Sequence, residues 1–119
     1  MKLKQSENDV TKAIIEYLRL KKYRVYKLYN GAIAQRVAGN KIIYKKKDPE
    51  MDGVSDLIAL REGYPILFIE VKGTNGKPSD DQLEFLRLVN ASDVATGLVA
   101  NNIEDVMMFL ATWDLTRNK

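Results

Sequence analysis

The sequence predicts an α/β domain, a mixed central β-sheet with helices packed on its faces. Three observations carry that prediction. Apolar residues recur at helical spacing near both ends of the chain, two apolar strand-like runs lie side by side near its middle, and the elements follow in the order α-β-β-β-β-β-α-β-α. The 119 residues make a single domain, 1–119, with no repeat, linker or low-complexity segment.

The first helix is read from "SENDVTKAIIEYLRLKK", in which Val10, Ala13, Ile14, Tyr17 and Leu18 form one apolar stripe. Ser6 suits the N-cap, and Asp9 three residues on resembles a capping box. "YRVYKLY" (23–29) alternates as a strand does. "AQRVAGNKIIYKKK" places Gly39-Asn40 as a turn between two strand-like arms. "DLIAL" and "PILFIEVK" are apolar strands separated by "REGY". "SDDQLEFLRLVNA" is a helix, "ATGLVA" a short buried strand, and "NIEDVMMFLATW" a last amphipathic helix.

Apolar residues make up 45% of the chain and charged residues 29%, the balance of a soluble globular protein. No run approaches the ~18 apolar residues of a membrane span. The polar opening "MKLKQSENDV" is no signal peptide, so an intracellular protein without a membrane partner is expected. With no Cys there is no disulfide, thiolate nucleophile or sulfur-type zinc site. With no His there is no Ser-His-Asp triad and no imidazole base. Chemistry must rest on Asp, Glu, Lys, Tyr or Ser, and any metal must be a hard, oxygen-bound one such as Mg²⁺ or Mn²⁺. Charge is divided along the chain. Residues 1–47 carry 13 Lys/Arg against 3 acids, and residues 48–119 carry 6 against 13, within a net charge of +3. A basic half of this kind suits a polyanion partner, although basic surfaces also serve solubility alone.

"LFIEVKGT" puts Glu70 and Lys72 into an otherwise apolar strand, where positions i and i+2 share a face. A hairpin of 57–61 with 66–71 centred on Gly63 sets Asp56 opposite Glu70, with Cβ atoms about 4.5–5.5 Å apart. Opposed like charges need a compensating cation. Carboxylates on adjacent strands make a Mg²⁺ site, with the Val71 backbone carbonyl as a further ligand and Mn²⁺ as a substitute. The same E-x-K also reads as an ordinary ion pair at a strand end.

"GVSDLIAL…LFIEVKG…SDDQLEFL" resembles the PD-(D/E)XK nuclease superfamily and, within it, the virus-type replication-repair nuclease (VRR-NUC) domain, over nearly the whole chain. The resemblance implies a restriction-endonuclease-like fold, with Asp56 and Glu70 as metal ligands and Lys72 positioning or activating the attacking water. Glu7, three residues before Val10 and seven before Ile14, extends the core-facing stripe of the first helix; it matches the family's helical glutamate and would reach the metal, in part through water. Gln82 matches its downstream glutamine, and G-x-x-D is present as Gly53 to Asp56. Ser55 departs from the pattern, which has proline before the aspartate; proline there shapes backbone and not chemistry. Glu7 is also explained as a favourable charge at a helix N-terminus, and Gln82 as the partner of Ser79 in a capping box.

The activity so implied is metal-dependent cleavage of phosphodiester bonds in branched DNA such as four-way junctions, leaving 5′-phosphates. The implied assembly is a homodimer, and the implied source phage or bacterial. Lys27, Asn30, Arg36, Lys41, Lys45, Lys46 and Lys47 are the expected DNA contacts, with Asn30 equally at home in a plain turn. Met107, Met108, Phe109, Leu110 and Trp113 offer a dimer interface, or core packing. The rival readings are a flap-type endo- or exonuclease of the same superfamily, a non-catalytic DNA-binding subunit, and a plain α/β domain.

Overall fold

The computed structural model describes residues 4–28 and 53–117, with side chains up to 114, and the backbone of two more strands at 33–36 and 42–45. Helix α1 spans Glu7–Leu20, followed by β1 (Arg24–Lys27), β2 (Ile33–Arg36), β3 (Ile42–Lys45), β4 (Leu57–Leu60), β5 (Ile66–Val71), α2 (Asp80–Asn90), β6 (Ala95–Ala100) and α3 (Ile103–Arg117). The order is the expected one, with most strands a residue or more shorter at their ends.

Four strands form one mixed sheet in the order β1-β4-β5-β6. β1 pairs with β4 and β4 with β5 antiparallel, while β5 and β6 run parallel, joined through α2. β2 and β3 form a separate antiparallel ladder. Arg36 lies opposite Ile42 there, and the turn expected at Gly39-Asn40 lies outside the described residues.

The two sheet faces are covered differently. Leu67, Ile69 and Val71 of β5 point into the main core with Leu57 and Ala59 of β4. Val10, Ile14 and Leu18 of α1 and Val106 and Leu110 of α3 close that side. The other face is covered by α2, where Phe85 meets Phe68 edge-on with ring centroids 5.4 Å apart. α2 comes close to β6 because Gly97 has no side chain: a Cβ there would lie 2.6 Å from Leu86 Cδ2.

Local signals explain the helix ends. Ser6 Oγ accepts from the Asp9 amide at 3.1 Å, capping α1. Two expectations are corrected. Glu7 does not extend the core-facing stripe; it is the exposed first residue of α1, and the buried stripe starts at Val10. α3 is not simply amphipathic: Val106 and Leu110 are buried, yet Met107 and Met108 are exposed, so apolar side chains occupy both sides of it. No helix among the described residues is long and apolar enough to cross a membrane.

Candidate active site

The β4–β5 hairpin has the register the sequence predicts. Leu57 faces Ile69, Ile58 faces Phe68 and Ala59 faces Leu67, with Gly63 in the turn at φ +84°. One step beyond Leu57, Asp56 therefore meets Glu70 on the face covered by α2. Asp56 is fixed from both sides. Its carbonyl accepts from the Leu28 amide at 2.7 Å, and its Oδ2 accepts from the Val71 amide at 2.9 Å. The carboxylate is thus tied to the strand that carries Glu70.

Glu70 is a charged side chain only 1% exposed. Its Oε1 accepts from Gln82 Nε2 at 2.7 Å and lies 3.4 Å from Lys72 Nζ. Its Oε2 is buried with no hydrogen-bond partner. Burial, and after it the Asp56 carboxylate, push the Glu70 carboxyl up to about 7, with Lys72 pulling the other way. A buried carboxylate oxygen left unpaired is costly, and a bound cation would relieve it.

Gln82 serves two purposes at once. Its Oε1 accepts from the Ser79 amide at 2.8 Å and its own amide donates to Ser79 Oγ at 3.2 Å, which closes the capping box of α2. The other end of its side-chain amide, Nε2, donates to Glu70. Cap and site residue, alternatives in the sequence, are one side chain.

Two further residues hold this arrangement together. Gly53 sits at φ +82°, and a Cβ there would fall 2.2 Å from the Asp81 carbonyl oxygen. The segment leading to Asp56 therefore lies directly against the first turn of α2, which carries Gln82. Asn101 donates from Nδ2 to the carbonyls of Gly73 at 2.9 Å and Gly76 at 2.8 Å. That clamps the turn after Lys72, whose Gly76 has room for no Cβ without meeting Lys72 Cβ at 3.0 Å. Gly53 was visible in sequence only as one letter of G-x-x-D. Asn101, in an Asn-Asn pair after a strand, gave no signal.

The structure does not unite all the expected residues. Among the described residues no group of three or more acids, His or Cys is placed to hold a metal ion, so Glu7 does not join Asp56 and Glu70 as a third carboxylate. Glu7 stays near the site through its backbone: Gly73, two residues past Val71, has the Glu7 amide 3.1 Å from where its Cβ would be. Lys27 is exposed at the end of β1 nearest Asp56, opposite Leu57. Arg36 and Lys45 fall in the β2–β3 ladder. Their side chains, with Asn30, Lys41, Lys46 and Lys47, lie outside the described residues.

The model of the VRR-NUC domain family matches residues 6–100, from the cap of α1 to the last residue of β6. The chain belongs to the VRR-NUC domain family. The match takes in Asp56, Glu70, Lys72, Gln82 and Gly53 and stops short of α3. Membership makes this a nuclease-type domain with a restriction-endonuclease-like α/β fold, and DNA its substrate class. No curated protein and no solved structure gives a significant match.

Proposed function

We propose that this VRR-NUC domain is a Mg²⁺-dependent deoxyribonuclease that hydrolyses phosphodiester bonds in branched DNA, four-way junctions among them. The observation that carries the reading is the Asp56–Glu70 pair, register-matched on adjacent strands, with a buried Glu70 oxygen unpartnered and Lys72 3.4 Å from the other. Two carboxylates and a nearby backbone offer oxygen donors alone, which fits a hard divalent cation, Mg²⁺ or in its place Mn²⁺. Asp56 and Glu70 would hold it, with the Val71 carbonyl beside them. When bound, such an ion lowers the pKa of water and offsets phosphate charge.

The chain's own groups divide the remaining work. Gln82 fixes the Glu70 carboxylate by its 2.7 Å bond, so Glu70 is oriented before substrate arrives. The Asp56 bond to the Val71 amide does the same for the other acid. Lys72 stands beside Glu70, its Nζ 3.4 Å from Oε1. Its role is to position the attacking water by a hydrogen bond. Displacement in line leaves a 5′-phosphate and a 3′-hydroxyl. Basic side chains in the first half of the chain meet phosphates, which gives affinity without sequence preference. Exposed Met107 and Met108 on α3 support a homodimer, with two sites making paired cuts.

The test is cleavage of labelled single strand, duplex, 5′ flap, 3′ flap and four-way junction, in Mg²⁺, Mn²⁺ or EDTA. Asp56→Ala and Lys72→Ala proteins run alongside. Metal-dependent cuts near the branch, lost in both variants, are expected. Binding with no cleavage in any metal overturns the catalytic reading and leaves a DNA-binding scaffold. Cuts confined to flaps would replace the junction by the flap as substrate.

A further inference from the structure

The end of the sheet away from the acid pair carries a second feature that the cleavage chemistry does not use. A groove of about 670 Å³ opens there, lined by Arg19, Lys22, Tyr23, Arg24, Val25 and Tyr26. Arg19, Lys22 and Arg24 have no acidic partner within ion-pair distance among the described residues. Arg24 and Tyr26 are two apart on β1 and share its outer face, while Val25 packs toward the core. Tyr26, which lines the groove with these cations, is 45% exposed.

The backbone adds an independent observation. α1 ends in a Schellman motif: the Lys22 amide donates to Arg19 O and the Tyr23 amide to Leu18 O, both at 3.0 Å. The left-handed residue of that motif is Lys22, at φ +72°, where glycine is the favoured residue. A lysine held in a conformation that suits glycine points to a use for its ammonium group.

The groove also has a fixed position relative to the acids. In the β1–β4 ladder Arg24 faces Leu60 and Lys27 faces Leu57, and Leu28 bonds the carbonyl of Asp56. From Arg24 to the level of Asp56 is four residues of strand, about 13 Å at ~3.3 Å each. We propose that this groove is a second DNA-binding site, which holds backbone phosphate on Arg19, Lys22 and Arg24 and an unpaired base on Tyr26, on the same DNA strand and a few nucleotides from the bond at Asp56 and Glu70. The proposal rests on the acid pair as the cleavage site for its placement on the strand, but the groove's affinity for DNA can be measured without cleavage.

The measurement is fluorescence anisotropy of the full chain with a labelled single strand and with its duplex, in EDTA, across a salt series. Lys22→Gly is the decisive variant, with Lys12→Ala on the exposed side of α1 as a control of equal charge. Lys22→Gly is expected to raise the melting temperature, because glycine suits the Schellman position, and to weaken DNA binding more than Lys12→Ala does. Arg19→Ala with Arg24→Ala should lower affinity about tenfold and reduce the slope of log Kobs against log salt by about 2. Tyr26→Ala should weaken single-strand binding more than duplex binding, and Tyr26→Phe should restore it. A Lys22→Gly protein that is more stable yet binds like the Lys12→Ala control overturns the proposal. So does an unchanged salt slope in the double variant. Cleavage lost in every metal, with groove-dependent binding intact, would sink the catalytic reading and leave this site standing. Normal cleavage with groove-independent binding would do the reverse.

Discussion

Each face of β5 carries one of two neighbouring side chains buried to the same depth. Ile69, pointing at α1 and α3, is 0% exposed, and Glu70, pointing at α2, is 1% exposed. Ile69 belongs to the apolar core cluster, so its burial contributes directly to stability. Around Glu70 stand Asp56, Lys72 and Gln82, and one of its oxygens has no hydrogen-bond partner. There burial is a cost, and it tunes a carboxylate. Depth alone says how much a side chain matters; its neighbours say whether it matters for folding or for chemistry.

The sharpest way to break this comparison is to change each residue by shape alone. Glu70→Gln keeps the size and removes the charge, and cleavage should fall by more than the ~10–100-fold loss usual for partners of metal ligands. Its folding should survive. Ile69→Ala should cost about 2–5 kcal/mol of stability, with near-normal activity per folded molecule. Denaturant melts beside single-turnover rates separate the two. Comparable activity loss per folded molecule in both would end the distinction between the faces.

Next in size is Gly53→Ala. A Cβ at φ +82° and 2.2 Å from the Asp81 carbonyl must push α2, and Gln82 with it, off the acid pair. The expected cost is about 2–4 kcal/mol from backbone strain and overlap together. Gly63→Ala is the matched control, since Gly63 has φ +84° but nothing within 4 Å of its added Cβ. It should show the strain alone, about 1 kcal/mol, with unchanged cleavage.

The pH dependence follows from the raised Glu70 carboxyl. Its value is about 7 in the folded chain against 4.5 unfolded, so between those values the native state binds the proton and the unfolded state has lost it. Stability from this group is therefore complete below pH 4.5 and lost as pH rises through 7, about 3 kcal/mol in all. In EDTA the wild type should be less stable at pH 8 than at pH 5, by that much more than Glu70→Gln. Adding Mg²⁺ at pH 8 should recover stability in the wild type and not in the variant. A variant as pH-sensitive as the wild type would show that Glu70 is not the group that titrates.

Much of this site was legible because short-range rules governed it. Alternation put Glu70 and Lys72 on one face, and the turn at Gly63 fixed the register that brings Asp56 to Glu70. Helix spacing likewise gave Val10, Ile14 and Leu18 as the buried side of α1. What failed was non-local. Glu7 follows the helical period but precedes the point where α1 meets the core, so it is exposed. α3 has Met107 and Met108 outside and Val106 and Leu110 inside, which only the packing of its neighbours could decide. Gly53 and Asn101 act through contacts with Asp81 and with Gly73 and Gly76, and no spacing rule connects those positions.

The smallest expected effect divides the two jobs of Gln82, a division the charged face makes and the apolar face does not. Ser79→Ala removes the cap's hydroxyl from α2 but leaves the Gln82–Glu70 bond in place, so it should cost about 1 kcal/mol of stability with no change in cleavage rate. Gln82→Ala removes its half of the cap together with the donor to Glu70, and should cost a similar stability plus about 10–100-fold in activity. Gln82→Glu keeps a cap acceptor while placing a third carboxylate beside Asp56 and Glu70, and should be as poor a nuclease as Gln82→Ala. If Ser79→Ala slowed cleavage as much as Gln82→Ala, the amide would act only by holding α2, and its bond to Glu70 would contribute nothing to the chemistry. If Gln82→Ala alone slowed it, the capping box and the acid pair are coupled in one direction, from the site to the helix that carries its partner.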